Sequence, residues 1–509
     1  MTVTTAIITC LLVLLGSAAL ADIKLPAVIG DNMVLQQGMP VPIWGSADPG
    51  DKITVSIGDH KATATASDKG EWSVRLKSMH AGGPFEMTIA GKNTITLKNI
   101  MVGEVWVCSG QSNMQFELKD ANNGKEEVAG ATHPNLRLFS VKMQVSETPL
   151  PDTEGSWAEC TPAVAEHFSA TAYFFGRELE KKLGVTVGLI HTSWGGTPAE
   201  AWTPHDVLAG SPEFTPILDR WVQAVKDYPV AIKEHEKAVE QWQKDVEKAK
   251  AEGKPEPWWP WPPLGPGSSS TPAGLYNAMI LPVIPYGIKG AIWYQGESNA
   301  DRGYQYRKLF PAMIQSWRRD WKQGDFPFLF VQLANFGWPP AESTQWPELR
   351  EAQLMTLKLK HTGMAVAIDI GDAGDIHPKN KQDAGKRLEL AAEAVAYGRR
   401  IEYSGPIYRS MDIEGDAIHL RFNHVGGGLV ARGGDLKGFT IAGEDKKFVP
   451  AVAKIDGDAV VVSASGVAKP VAVRYAWLSS PECNLYNKAD LPASPFRTDT
   501  WPGMTVDAK

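Results

Sequence analysis

The sequence predicts an α/β fold in which a central parallel sheet is flanked by a small β domain on either side along the chain. Apolar strands alternate with amphipathic helices over residues 101–402, which is the pattern of a parallel sheet covered by helices on both faces. Short alternating segments fill residues 22–100 and return over 403–509, as in antiparallel β structure. The chain has 509 residues, which is enough for about three domains.

Residues 1–21 have the features of a secretory signal peptide. An apolar stretch at 7–15 precedes Ala19 and Ala21, which form an A-x-A cleavage site before Asp22. The apolar stretch is too short to span a membrane comfortably. We therefore expect export, with the mature protein secreted or periplasmic.

The two flanking regions are predicted to be small β domains. In residues 22–100, turns rich in Gly, Asp and Lys separate alternating segments at 53–57, 61–65, 72–76, 87–89 and 94–97. Residues 403–509 show the same kind of pattern, with predicted strands at 418–422, 438–441, 448–452, 459–462 and 472–475. The spacing is typical of a β-sandwich.

The central region, residues 101–402, contains the elements of the parallel sheet. Its predicted strands are 104–108, 185–191, 288–294, 328–333 and 364–369. Helices are predicted over 171–183 and 381–397, each followed by a glycine that can end it. An insertion at 211–270 interrupts the pattern, with a charged helix at 229–252 and a stiff Trp- and Pro-rich stretch at 254–263.

Polar side chains follow four of the five predicted strands, in the loops 109–113, 192–197, 295–299 and 371–378. The carboxyl ends of parallel strands meet at one edge of a sheet, where ligands bind in open α/β folds. A fold needs short turns at this edge, but it does not need Ser, Gln, Glu, Asn, Asp and His in them. The loops therefore predict an active site.

Ser112 is the candidate nucleophile because it lies where a strand passes into a helix. Free backbone N–H groups and the positive end of the helix dipole would stabilise the anion formed when a serine attacks a carbonyl. A Ser-Asn helix cap is the alternative for this pair taken alone. The candidate base is His377, which follows the last predicted strand, and its main competitor is His191 at the end of the second strand.

Composition limits the possible partners. A net charge of −7 argues against nucleic acid and against an anionic membrane. No spacing resembles a zinc site, so no metal is expected. After cleavage of the leader the cysteines would be Cys108, Cys160 and Cys483, which permit one disulfide and require none. The count of 18 Trp is high, and such a surplus often serves flat ligands such as sugar rings.

Four separated motifs, in order, resemble the sialate O-acetylesterase family, which belongs to the SGNH/GDSL hydrolase superfamily. They are Gly110-Gln111-Ser112-Asn113-Met114, Ser193-Trp194-Gly195-Gly196-Thr197, Trp293-Tyr294-Gln295-Gly296-Glu297-Ser298-Asn299 and Asp375-Ile376-His377-Pro378. Residues 31–37 and 484–487 also resemble the family, so the similarity extends over nearly the whole mature chain.

The resemblance implies an SGNH-type sheet and a serine esterase that removes acetyl groups from sugars without metal or cofactor. Ser112 would be the nucleophile, and His377 the general base and then acid. The oxyanion hole would take the backbone N–H groups of Ser112 and Gly196 and a side-chain amide from the third motif. Gln295 is expected to supply that amide, with Asn299 second, because the spacing around Gly296 departs from the superfamily pattern.

The resemblance leaves open which group orients His377. The superfamily commonly has Asp three residues before the His, but that position is Gly374 here. Asp375 is the predicted acid, and Asp372 or a backbone carbonyl are the alternatives. The site could also work as a Ser112–His377 dyad.

The predicted partner is an acetylated sugar or glycan. Trp194 and Glu297 of the loops are expected to bind it, together with three Trp of the insertion, Trp258, Trp259 and Trp261. The three Trp either line the cleft or pin the insertion against the core. Both 9-O-acetyl sialic acid and acetylated plant polysaccharides such as acetylxylan fit as substrates.

Two other classes of function stay open. A non-catalytic carbohydrate-binding protein on this scaffold would explain the Trp count but not an intact Ser, His and oxyanion set. A peptidase or lipase is the other alternative. The chain lacks the Gly-x-Ser-x-Gly elbow of many such enzymes, and it has no long apolar helix that could serve as a lid.

Overall fold

The computed structural model describes residues 22–337 and 343–509. The predicted signal peptide, residues 1–21, lies outside the described residues. No helix in the described ranges is long and apolar enough to cross a membrane. Cys108, Cys160 and Cys483 are all unpaired thiols.

The strands of the described chain are β1 (Val34–Gln36), β2 (Val41–Ser46), β3 (Lys52–Ile57), β4 (His60–Thr65), β5 (Glu71–Leu76), β6 (Gly82–Ala90), β7 (Thr94–Gly110), β8 (His133–Ser140), β9 (Trp157–Cys160), β10 (Val187–Ser193), β11 (Gly290–Tyr294), β12 (Phe328–Gln332), β13 (Thr362–Val366), β14 (Ile407–Glu414), β15 (Ala417–Asn423), β16 (Leu429–Ala431), β17 (Phe439–Ala442), β18 (Val449–Pro450), β19 (Val452–Asp456), β20 (Ala459–Ser463), β21 (Ala472–Tyr475), β22 (Leu485–Asn487) and β23 (Phe496–Arg497). The helices are α1 (Ser112–Gln115), α2 (Gly124–Gly130), α3 (Pro162–Ala165), α4 (Ala170–Leu183), α5 (His205–Ala209), α6 (Thr215–Glu252), α7 (Gly303–Trp321), α8 (Gln345–Thr356) and α9 (Lys381–Val395).

The central sheet has the strand order β13-β12-β11-β7-β10-β8-β9, and all its neighbours are parallel except β8 and β9. This confirms the predicted α/β fold, and β7 and β10–β13 are the five predicted strands. One further parallel strand, β8, pairs with β10 and was not predicted from the sequence. Only residues 136–139 of β8 are buried, so its apolar run is too short to identify the strand.

Both faces of the central sheet are covered. Trp106 and Cys108 of β7 point to the face covered by α4 and α9, whereas Val105 and Val107 point to the face that carries α7. Alternation along a strand sends successive side chains to opposite faces, and both faces of β7 are apolar. The result is a continuous buried run from Val102 to Gly110.

β7 is 17 residues long and belongs to two parts of the molecule. Its first half pairs antiparallel with β6, and its second half pairs parallel with β10 and β11. The predicted boundary at residue 100 therefore falls inside a single strand. The N-terminal strands are thus joined directly to the central sheet.

The C-terminal strands form two four-stranded sheets, β14-β15-β20-β19 and β18-β17-β21-β23. Ile418 and Val460 from the first sheet share a core with Ile441 and Val473 from the second. Arg350 of α8 ties this part to the centre. Its buried guanidinium donates to the carbonyls of Leu333, Ala334, Leu478 and Ser479.

The insertion differs from its prediction at one end. Its helix α6 begins at Thr215 and passes through Pro229, where we expected a helix to begin. Most of α6 is exposed, and only Ile217, Val246 and Ala249 are buried. The Trp- and Pro-rich stretch that follows contains no helix or strand, as predicted.

Candidate active site

The candidate nucleophile Ser112 lies at the carboxyl end of β7. Gly110 has φ +141°, and a Cβ at this position would lie 2.2 Å from the carbonyl oxygen of Tyr294. A glycine is therefore required where β7 passes β11. The backbone N–H of Gln111 donates to the same carbonyl at 3.0 Å, and α1 begins at the next residue.

The backbone N–H of Ser112 is the first of α1 and has no acceptor within the helix. α1 has only four residues, so it supplies this free N–H rather than the substantial helix dipole that the sequence suggested. Ser112 is half-buried. Ser112 can therefore contact a substrate that enters from solvent, while part of its surroundings is shielded from water.

The second motif packs directly against Ser112. The N–H of Gly195 donates to Gln115 Oε1 at 2.6 Å, and a Cβ on Gly195 would lie 3.3 Å from the Cβ of Ser112. Gly196 has φ +74° with open space on its Cβ side, and none of the described residues accepts a hydrogen bond from its N–H. Gly196 thus has the free donor that its predicted oxyanion role needs.

The third motif requires a correction. Gln295 is fully buried, and its Nε2 donates to the carbonyl of Thr197 at 3.2 Å and to Asn299 Oδ1 at 2.7 Å. Asn299 accepts a further bond from the N–H of Ala199 and donates to Glu200. Both protons of the Gln295 amide are used, so the structure does not offer it to an oxyanion. These two residues brace the loop that carries Gly196.

Glu297 also differs from its prediction as a substrate-binding residue. Its Oε1 accepts a bond from Asn113 Nδ2 at 2.6 Å, and its Oε2 is buried without a hydrogen bond from any described residue. Burial raises the pKa of the Glu297 carboxyl, and the bond from Asn113 opposes the shift. Glu297 therefore faces the protein behind Ser112 rather than the substrate.

His377 lines the same shallow pocket as Ser112. The pocket is lined by Ser112, Gln115, Phe116, Glu117, Asp120 and His377. No hydrogen bond joins Ser112 Oγ to His377 in the part of the chain that is described. Catalytic hydrogen bonds are often long in the absence of substrate, so this geometry is compatible with a general base.

Asp375 is the carboxylate beside His377. Its Oδ1 lies 3.6 Å from His377 Nδ1 and accepts a bond from the backbone N–H of His377 at 2.9 Å. Asp372 is exposed, and its Oδ1 accepts a bond from the N–H of Gly374. Of the two carboxylates, the structure brings Asp375 to the imidazole.

The surroundings of His377 favour its neutral form. Partial burial lowers the pKa of His377, the positive charge of Lys381 lowers it further, and Asp375 opposes both effects. The competing base His191 is bonded to Ser193 Oγ at 2.6 Å, and desolvation lowers the pKa of His191 to about 4. His191 does not line the pocket of Ser112.

A second pocket adjoins Gly196 on the side of the insertion. It is lined by Gly196, Pro198, Glu200, Ile217, Arg220, Trp221, Leu264, Ser270, Pro272, Ser298 and Arg302. Ser298 is tied to the nucleophile turn, because its N–H donates to Gln111 Oε1 at 3.3 Å. Residues of the insertion therefore build one wall of a pocket beside the candidate oxyanion hole.

The four Trp residues that were predicted to bind substrate line neither of these two pockets. Trp259 packs edge-on against Trp242 of α6, with ring centroids 4.7 Å apart, so it pins the stretch to its own helix. Trp258 and Trp261 are 94% and 83% exposed, and neither lines the two pockets described above. Trp194 is half-buried, and its N–H donates to the carbonyl of Gly110 at 3.2 Å.

The polar residues that hold these loops together were not predicted from the sequence. Gln111 and Asn113, on either side of Ser112, bond to the third motif, and Lys381 bonds to Asn113. The sequence contained one signal for this network, which is Lys381 at the start of a predicted helix and four residues after His377. In the described ranges no group of three or more His, Cys, Asp or Glu side chains converges as a metal site.

The chain is similar to known proteins over most of its length. A family model described as carbohydrate esterase, sialic acid-specific acetylesterase, matches residues 102–245 and 269–393. The sialate O-acetylesterases of Mus musculus and Homo sapiens are each 30% identical, over 92% and 94% of both chains respectively. A carbohydrate acetylesterase from Xanthomonas citri is 39% identical, with a TM-score of 0.80 over 94% of this chain and all of that one. Trp258, Trp259 and Trp261 fall in the gap of the family match.

Replacing Asp375 with Asn should lower kcat by at least about a hundredfold, because the carboxylate that orients and steadies the imidazole is lost. Asp372→Asn is the matched control and should have little effect. Steady-state hydrolysis of p-nitrophenyl acetate, with circular dichroism to check folding, measures both. A larger loss of kcat in Asp372→Asn than in Asp375→Asn would make Asp372 the acid. An unchanged kcat in both variants would indicate a Ser112–His377 dyad.

Proposed function

The chain belongs to the carbohydrate esterase family of sialic acid-specific acetylesterases, and on that basis we propose that it removes O-acetyl groups from acetylated sugars with Ser112 as nucleophile. The protein is a carbohydrate ester hydrolase, as its family and its relatives over most of the chain establish. The catalytic roles, the sugar and the location of the protein belong to the proposal.

The proposed reaction has two steps. Ser112 Oγ attacks the acetyl carbonyl carbon while His377 takes its proton, and the N–H groups of Ser112 and Gly196 bind the oxyanion. The intermediate collapses to acetyl-Ser112, and the sugar oxygen leaves with the proton from His377. Water, deprotonated by His377, then attacks the acetyl group, and acetate is released as Ser112 regains its proton.

One observation carries this proposal. Ser112 follows β7 and His377 follows β13, and the two side chains line a single pocket although 265 positions separate them in the chain. Gly195 lies beside Ser112, because a Cβ added to it would come 3.3 Å from the Ser112 Cβ, and the next residue, Gly196, has an N–H that no described residue accepts. A nucleophile, a base and two N–H donors at one sheet edge match an acyl-transfer site of the SGNH type, to which we assign the fold.

The pocket beside Gly196 supports an acidic sugar as the substrate. Glu200 Oε1 pairs with Arg302 at 2.9 Å and lies 3.8 Å from Arg220, and Asp301 pairs with Arg302 at 3.2 Å, so Arg220 has the longer carboxylate contact of the two guanidinium groups. Desolvation and the charge of Arg302 lower the pKa of Arg220, and the charges of Glu200 and Asp301 oppose them. A sugar carboxylate would relieve this repulsion and bind a guanidinium through two hydrogen bonds.

We therefore favour O-acetylated sialic acid over the acetyl groups of neutral plant polysaccharides. Trp221 and Leu264 offer apolar surface beside Arg220 for the face of a sugar ring. This arrangement gives the insertion a role in substrate binding through Arg220 and Trp221. It does not need the exposed Trp258 and Trp261.

We also propose that the protein is exported after cleavage before Asp22, because residues 1–21 have the pattern of a secretory leader. N-terminal sequencing of the protein purified from a host expressing the full chain should begin at Asp22. A mature protein that begins at Met1 would contradict export by this route.

Ser112→Ala should lower kcat by about 10⁴ or more, since the covalent step is lost while only one hydroxyl is removed. A labelled fluorophosphonate should modify the wild type and not this variant. Ser193→Ala is the matched control, because it removes the serine bonded to His191 and should leave labelling intact. Retained activity in Ser112→Ala would refute the proposal. His377→Ala should lower kcat nearly as much, and combining it with Ser112→Ala should lower kcat no further.

Arg220→Gln should lower kcat/KM for 9-O-acetyl sialic acid about tenfold to a hundredfold, the range expected for a lost charge-assisted hydrogen bond. Hydrolysis of p-nitrophenyl acetate should be unchanged, because this small ester does not reach Arg220. Arg421→Gln, at an exposed position of β15, is the control. Equal losses on both esters would contradict the proposed subsite, and faster wild-type turnover of acetylxylan would favour the plant-polysaccharide alternative.

A further inference from the structure

Asn113, the residue after Ser112, links the loops that surround the candidate nucleophile. Its side-chain amide donates to Glu297 Oε1 at 2.6 Å and to the backbone carbonyl of Ile376 at 3.1 Å. Ile376 directly precedes His377, so the second bond holds the His377 loop against the nucleophile turn. Asn113 is 1% exposed, so water does not compete for these bonds.

The third partner of Asn113 is the ammonium group of Lys381. Lys381 Nζ donates to Asn113 Oδ1, and the side chain is as deeply buried as that of Asn113. The ammonium also lies 4.7 Å from the ring centroid of Phe116 and 5.4 Å from that of Tyr294. Two aromatic faces and one amide oxygen therefore hold the cation in place.

Lys381 occupies an unfavourable position for a cation. It is the first residue of α9, where the helix dipole is positive, and it is shielded from water. Burial lowers the pKa of Lys381 to about 7, and the charges of Glu297 and Asp375 oppose the shift. An apolar side chain would be tolerated here at lower cost, so the lysine points to a functional constraint.

Lys381 acts on His377 as well as on Asn113. The ring of Phe116, which faces the Lys381 ammonium, also lies 6.3 Å from the His377 ring, measured between centroids. The titratable groups around the ammonium are Glu297 from the third motif, Asp375 and His377 from the last loop, and Tyr294 from β11. His377 is the catalytic candidate among them.

We propose that Lys381 is a positioning residue: through Asn113 it fixes the Ser112 turn against the His377 loop, and its positive charge disfavours the imidazolium form of His377. The inference rests on the catalytic roles proposed above for Ser112 and His377. It assigns a role to a buried lysine that takes no part in the bond-making steps.

The direction of the expected pH effect follows from the charges. Only neutral His377 accepts the proton of Ser112, so activity is lost as pH falls through the pKa of His377. Lys381 lowers that pKa, and it carries the charge that does so at pH below its own pKa of about 7. Removing its charge should therefore move the acid limb of the pH profile to higher pH.

Lys381→Met tests the inference. We expect kcat for p-nitrophenyl acetate to fall about tenfold to a hundredfold with little change in KM, because small misplacements of catalytic groups slow the chemical step. The rate of Ser112 labelling by a fluorophosphonate, followed against pH, should show an acid limb at higher pH than in the wild type. Lys381→Arg keeps the charge and should restore the limb toward its original position.

Lys386→Met is the matched control, since Lys386 is exposed on the same helix and should leave kcat and the pH profile unchanged. A wild-type kcat and acid limb in Lys381→Met would overturn the inference. If Lys381→Met fails to fold, Lys381→Gln tests the role of the charge instead, because it keeps a donor for Asn113 without the charge. A raised acid limb in Lys381→Gln supports the role of the charge, and an unchanged one refutes it.

Ser112→Ala in the same assay separates this inference from the proposed function. Retained activity in Ser112→Ala would refute the proposed function itself. An inactive Ser112→Ala beside a Lys381→Met variant with wild-type behaviour would refute only the role of Lys381.

Discussion

The site depends on the register of three parallel strands. Gly110 at the end of β7 lies level with Ser193 of β10 and with Tyr294 of β11. Three loops therefore leave the sheet at the same height, and the missing side chain of Gly110 allows the backbone of β11 to approach. A slip of one residue along β7 would reverse which face each side chain points to and would separate Ser112 from its neighbours.

The polar side chains behind Ser112 show how the loops are kept in place. Gln111, Asn113, Gln295 and Asn299 are all buried, and each bonds to a different loop from its own. Buried polar groups are costly unless they are paired, so each bond is strongly favoured once the loops meet. The network keeps the loops at this edge of the sheet rigid. Glu297 Oε2, which is buried without a hydrogen bond from any described residue, and the buried Lys381 lower the stability of the fold.

The insertion extends the substrate side of the molecule. Its helix α6 carries Arg220 and Trp221 to the pocket beside Gly196, whereas its Trp- and Pro-rich stretch mainly folds back onto α6 through Trp259. In the proposed function, acyl transfer and sugar recognition thus come from different parts of the chain. The loops of the central sheet carry the proposed catalytic residues, so changes in the insertion would alter the proposed sugar pocket and leave Ser112 and His377 in place.

The sequence by itself determined the parallel sheet, because runs of apolar residues identify its buried strands. It also determined Ser112 and His377 as candidates, because loops after parallel strands converge, whereas Gly196 followed from the family resemblance. The tertiary structure decided what neighbours each polar residue has. Gln295 and Glu297 were expected to face the substrate, but their partners Thr197 and Asn113 lie 98 and 184 positions away in the chain. Such pairings follow from strand register and loop packing, so local patterns cannot reveal them. The burial of Lys381 beside Asn113 has the same cause, since 268 positions separate the two residues in the chain.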